Sequence, residues 1–346
     1  MSRYFAVPVF ALTAMVAACG RSDRTPTTSS SAGASTPVVS GSNRVTDSSG
    51  EPRVEVAPVS YERAESTFDA GKYSEAAQLF SAYTESNAEN PWGHYMLGMA
   101  AWKSGERDRA LSAFDRSIEL DPTHRKSLYN SSRVLLELGR PQEALDRIEK
   151  ALGQEPSSSE GLRLLGRARY QLGKADEAID AYQRALTIDD HDVWAMNNLG
   201  LIYIEQDKAT EALPPLARAV QLRGNAPVFQ NNLGVALERS GFPEAAAQAY
   251  EAAIAVDSSY QKASVALARV TSGEQQPETE PVNLAQLAQQ FEGQITGWRE
   301  AGTSGGVTDT LEVSSDSVEM STVVTDSSTA SLEAHSDSLE NGEHGE

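Results

Sequence analysis

The sequence predicts an all-α repeat protein flanked by segments too poor in apolar residues to fold, and three observations carry that reading. Alanines stand 34 residues apart at Ala76, Ala110, Ala144, Ala178, Ala212 and Ala246. Glycines at Gly71, Gly105, Gly139, Gly173 and Gly241 keep the same step, with Asp207 in the one gap. Large apolar residues recur in register at Phe80, Phe114, Ile148, Tyr182, Leu216 and Tyr250. Each small residue lets one helix come close to another, and each large one fills the space opposite. The glycine suits the end of a helix, where a left-handed backbone is cheapest without a Cβ.

Six copies run without insertion over 57–90, 91–124, 125–158, 159–192, 193–226 and 227–260. Gly98, Gly166, Gly200 and Gly234, mostly preceded by leucine, follow the same period, as do Ala151, Ala185, Ala219 and Ala253. Copy one departs with Arg63-Ala64 at the Leu-Gly place and copy three with Ser131-Ser132. Copy five carries Pro214-Pro215 inside its second helix, which is expected to kink that helix or delay its start. Residues 261–272 continue the register with Leu267 and Ala268 and read as a capping helix, which closes the end of a stack of repeats.

Composition separates the parts of the chain. The 346 residues carry a net charge of −20. Residues 273–346 hold 15 acids and one base, Arg299, whereas residues 57–272 hold 23 bases and 30 acids. The acidity belongs mostly to a tail expected to be disordered, and nucleic acid is excluded as a partner because no basic footprint exists. One stretch interrupts the tail. Leu284, Leu287, Ala288, Phe291, Ile295 and Trp298 fall at helical spacing within an amphipathic segment, 282–298, that reads as a second cap or a docking helix.

The N-terminus reads as an export signal, 1–18, with Arg3 before an apolar run that ends in Val16-Ala17-Ala18-Cys19. This resembles the lipobox of bacterial lipoproteins, and the resemblance implies cleavage before Cys19 and acylation of its thiol. The lone cysteine of the chain sits at the one place the box requires. An ordinary secretory signal with an incidental cysteine is the alternative. Without an aspartate after Cys19, the resemblance favours the outer membrane, facing the periplasm, over the inner. Residues 19–56, rich in Ser, Thr, Pro and Gly, read as a disordered tether.

The 34-residue register resembles the tetratricopeptide repeat (TPR). Pro122 and Pro156 match the closing proline of that family, while Ala88, Asp190, Gly224 and Ser258 depart from it. The resemblance implies a right-handed superhelical solenoid of six helix–turn–helix units, with the first helix of each pair lining a concave groove. It places in that groove Trp92, Tyr95, Met99 and Trp102 from copy two; Lys126, Tyr129, Asn130, Arg133 and Leu136 from copy three; and Arg163, Arg167 and Tyr170 from copy four. Copies five and six add Trp194, Asn197, Asn198, Asn231 and Asn232.

Aromatic and Arg side chains favour binding, although the same residues also pad the spaces between helices. Asn130, Asn198 and Asn232 match the family position whose amide pairs with a bound peptide backbone; local capping or packing is the alternative. The Lys and Arg side chains imply an acidic partner segment, and the chain's own acidic tail is a candidate occupant, against a tail that touches nothing.

No enzyme is read here. Residues 302–306 lack the Lys of a phosphate-binding loop, and no paired-ligand spacing of His or Cys supports a metal. Asp189-Asp190-His191-Asp192 reads as helix capping before it reads as a cation site. No cofactor is expected. The expected function is a membrane-anchored adaptor of the bacterial cell envelope that holds a segment of another envelope protein. The rival is an activator or recruiter of a cell-wall enzyme, or a glycan-binding envelope protein.

Overall fold

The computed structural model describes residues 59–272 and 281–304. Of the two units into which the chain divides, Met1–Val56 and Ala57–Glu346, every described residue belongs to the second. The lipobox, the tether and residues 305–346 lie outside the described residues.

Among the described residues the structure is wholly helical. Six antiparallel pairs follow one another: α1 (Tyr61–Asp69) with α2 (Tyr73–Ser86), α3 (Pro91–Lys103) with α4 (Arg107–Leu120), and α5 (Arg125–Glu137) with α6 (Pro141–Gln154). Next come α7 (Ser159–Gln171) with α8 (Ala175–Ile188), α9 (Val193–Glu205) with α10 (Ala209–Leu222), and α11 (Pro227–Arg239) with α12 (Pro243–Val256). Then α13 (Gln261–Ser272) packs on α12 and α11, and α14 (Leu284–Ser304) completes the set. No helix among the described residues is long and apolar enough to cross a membrane.

The turn within each pair is made by the periodic glycine, with φ +73° at Gly71 and +76° at Gly173; Asp207, in the gap, takes the same left-handed conformation at +58°. Inside each pair the small and large residues meet as expected. A Cβ added to Gly166 would stand 2.8 Å from the ring of Tyr182, itself only 1% exposed. Copy three has Ser132 at this place, fully buried, and turns its hydroxyl to donate to the Leu128 carbonyl at 2.7 Å. Most first helices open on a side-chain cap, such as Asn90 accepting from the Trp92 and Gly93 amides or Asp192 from Trp194 and Ala195.

First helices of successive pairs touch one another, whereas among the described residues no two second helices make a comparable contact. The first helices therefore occupy the inner, concave arc and the second helices the outer one. Copy five departs from expectation in one respect. Despite Pro214 and Pro215, α10 begins in the same register and has the same 14-residue length as the second helices of copies two, three, four and six. Both prolines are buried, and packing on α9, α11 and α14 holds the helix against their lost amide bonds.

The amphipathic segment forms the expected helix, but not as an occupant of the groove. It is the helix α14, and it packs against α10 and α8, which are second helices, so it occupies the outer face rather than the groove. Ala288, Phe291 and Ile295 are each 1% exposed. Arg299 donates to the Thr187 carbonyl at 2.7 Å and to Asp190 at 2.9 Å, and Glu292 pairs with Arg218 at 2.5 Å. The destination follows from charge and shape: the residues that receive Glu292 and Arg299 lie on α10 and at the end of α8.

Candidate functional site: the concave wall

The concave wall is assembled from the first helices α3, α5, α7, α9 and α11, and most of the side chains expected to line it are turned into the stack. Tyr95, Asn130, Arg133, Trp102, Arg167, Trp194, Asn197, Asn231 and Asn232 are each less than a tenth exposed. Tyr129 and Leu136 are buried as well. Met99, Arg163, Tyr170 and Asn198 are half-buried, Lys126 is exposed, and Trp92 is 47% exposed.

The buried set forms rungs between successive copies. Asn130 donates to the Tyr95 hydroxyl at 3.3 Å, the Trp102 indole to Glu137 at 3.0 Å, and Tyr170 to Glu205. Further down, Asn231 donates to Asn232 at 3.3 Å, Asn232 to Asn197 at 2.8 Å, and Asn197 to Asn198 at 3.4 Å. The rungs between copies join residues 35 apart, one more than the repeat, so each first helix reaches its neighbour one residue out of register. Trp194 stacks edge-on against Phe229 at 4.9 Å instead of facing an open groove.

The cationic side chains are likewise met from within. Arg133 donates to Asn130 at 2.8 Å and to Glu160 at 2.7 Å. Arg163 meets Asp192 at 3.0 Å. Arg167 is engaged too, so the arginines expected in the groove from copies three and four do not form a bare basic patch, while Lys126 stays exposed. A reading from residue type alone missed the carboxylates; Glu137, Glu160 and Asp192 were the signal, each 27 to 35 residues beyond its partner.

What stays open is the start of the wall. The Lys126 ammonium lies 5.6 Å from the centre of the Trp92 ring, a cation–π arrangement. Behind Trp92 stand Tyr95 at 5.6 Å and His124 at 4.6 Å, both edge-on or tilted. Burial pushes the Tyr95 hydroxyl up to about 12, so it stays protonated. Burial, aided by Lys126 and opposed by Asp121, lowers His124, whose Nδ1 accepts from the Ser127 amide as the cap of α5. The site missed by sequence reasoning is this histidine: it precedes the helix at a capping place, but its ring also backs the exposed tryptophan.

Asp189, Asp190 and His191 do converge, their ligand atoms within 4.8 Å of one another. The Asp190 carboxylate is taken by Arg299, which holds it below its ordinary range, and Asp192 caps α9. The cluster works as a helix junction.

The comparisons agree with this architecture. Family profiles described as tetratricopeptide repeat match residues 61–125, 129–193 and 193–226. No curated protein matches the chain. Among solved structures, a tetratricopeptide repeat protein from Parabacteroides merdae aligns at 15% identity over 61% of this chain and 82% of its own, with a TM-score of 0.53. The Cut9–Hcn1 hetero-tetramer of APC/C aligns at 18% identity over 60% of this chain and 41% of its own, with a TM-score of 0.54. MamA from Desulfovibrio magneticus matches at 23% identity over 47% and 92%, with a TM-score of 0.44. The repeat register, the paired helices and the matching profiles together show that residues 61–226 of this chain are built of tetratricopeptide repeats.

Proposed function

We propose that the chain is a lipid-anchored scaffold of the bacterial cell envelope, which holds a segment of another protein against the concave wall of copies two and three. One observation carries the choice of place. Trp92 is the most exposed aromatic of the first helices, set over buried Tyr95 and His124 and beside the exposed Lys126. A large apolar side chain from the partner buries the Trp92 face, and an acidic group next to it meets the ammonium. Elsewhere on the wall the polar groups are spent on rungs and add shape more than free valence.

The anchor rests on the sequence alone: a charged start, an apolar run and Cys19 after two alanines. Two or three acyl chains give stable attachment where one gives marginal attachment. The outer membrane, periplasmic side, is the assigned place, since no aspartate follows Cys19. The scaffold carries out no reaction in this reading.

The test uses the full chain in envelope fractions. Trp92→Ala with Lys126→Glu abolishes partner capture and leaves helical content unchanged; retained capture refutes the site. Cys19→Ser leaves an uncleaved precursor that takes up no labelled fatty acid; normal labelling refutes the anchor. Sedimentation with cell-wall polymer that depends on Trp92 would instead place the chain among glycan-binding proteins.

A further inference from the structure

The outer face of copies four and five is built to receive a helix. On α10, Pro214 and Ala217 are buried, whereas the residues at the same places in the neighbouring copies, Asp180 and Gln183 before and Gln248 and Glu251 after, are exposed or half-exposed. The helix seated there, α14, presents one apolar stripe to it. Two charged contacts, one at its middle and one near its C-terminal end, fix the direction of that helix: Arg218 takes Glu292, while Asp190 and the Thr187 carbonyl take Arg299. The seat thus reads an acid and a base seven residues apart, with large apolar groups between.

The opposite side of α14 is built differently. Gly293 and Gly297 have open space where a side chain would stand, and neither has a left-handed backbone. Nothing in the packing requires glycine at either place, and both weaken the helix when it is away from its seat. Helix formation and docking are therefore coupled, and the grip in cis is held below what the same stripe with alanines would give.

We propose that the outer face of copies four and five is a second docking site, for an amphipathic helix of a partner protein, and that α14 is its tethered, displaceable occupant. The partner helix carries two large apolar residues four apart, an acid next to the first and a base four residues beyond the second. Eleven residues separate α13 from α14, so the occupant competes at an effective concentration on the order of millimolar. A second copy of the chain offers only the same contacts without that tether, and loses to the segment already in place. A partner displaces it by pairing better with the same seat.

The experiment uses the full chain and a fluorescent peptide of residues 282–304, read by polarisation. Gly293→Ala with Gly297→Ala tightens the latch and weakens peptide binding about tenfold or more relative to the wild-type chain. Phe291→Ala with Ile295→Ala empties the seat and strengthens binding by at least about tenfold. A peptide with Arg299→Glu fails on all three chains and recovers on an emptied chain carrying Asp190→Arg. Equal affinity for the three chains, or indifference to Arg299→Glu, overturns the proposal. So does a wild-type dimer that the emptied chain loses, which would give the seat to a second copy. If the emptied chain does not fold, the glycine pair decides alone, because both substitutions fall in open space.

Discussion

The outer walls of copies one to three and of copies four and five solve one problem in two ways. Second helices diverge on the convex side of any such stack, and something must span the gap. In the first three copies arginines do it: Arg109 reaches from α4 to the Ala77 carbonyl on α2 at 3.1 Å, and Arg147 reaches from α6 to Asp115 on α4 at 2.8 Å. The places 34 and 68 residues after Arg147 hold Ala181 and Pro215. There the strut is gone and α14 lies across α8 and α10. The difference teaches that the outer surface is modular. An arginine strut costs little and moves nothing, whereas a docked helix brings apolar burial and a surface that another helix can claim.

The comparison breaks most visibly at Phe291. Phe291→Ala is expected to cost about 3 kcal/mol of local stability, limited by the freedom of α14 to leave its seat. Hydrogen exchange should accelerate in α14, α8 and α10 and stay unchanged in α4 and α6; uniform acceleration would mean that the two outer walls are one cooperative unit.

The inner wall sharpens the contrast, since its copies two to six are tied by side-chain rungs. Asn197→Ala and Asn232→Ala, combined in a double-mutant cycle, should show a coupling of about 1 kcal/mol in chemical denaturation. Additive losses would reduce the amide chain to four independent groups. Arg147→Ala comes next, at no more than about 1 kcal/mol, because the Asp115 end of its ion pair is partly exposed. Its effect should be confined to the α4–α6 side and should shrink in high salt.

The smallest effect is a pH slope. Burial lowers His124 in the folded state, so protonation favours the unfolded chain. The stability from keeping the ring neutral is full above the ordinary imidazole value of 6.5 and is lost as pH falls through the lowered one. A protonated Nδ1 also ceases to accept from the Ser127 amide. The thermal midpoint of the wild-type chain should fall more between pH 7 and 5 than that of His124→Asn, which keeps a capping side chain; equal slopes would remove His124 from the account.

The fold was legible because its signal is redundant. Ala178, Gly166 and Tyr182 each repeat at 34 residues, and each answers one packing demand. The wall was legible in position but not in chemistry. Its polar side chains bond across copies, at spacings of 27 to 35, and a reading copy by copy assigns Asn232 or Arg133 to a ligand when Asn197 and Glu160 already hold them. For α14 the stripe from Leu284 to Trp298 gave the helix, yet its seat lay in an irregularity elsewhere. Pro214 and Ala217 break the polar outer face of a second helix, and prolines draw attention as helix breakers before they register as apolar surface.

The claim that the wall beside Trp92 holds a partner is tested most directly by photocrosslinking in living cells. Benzoylphenylalanine in place of Trp92, and separately in place of the exposed Glu149 on the outer wall, compares the two faces within the same full-length chain. The account predicts one discrete adduct from position 92, absent when Lys126→Glu is added, and none from position 149. Adducts from position 149 with none from 92 would contradict it.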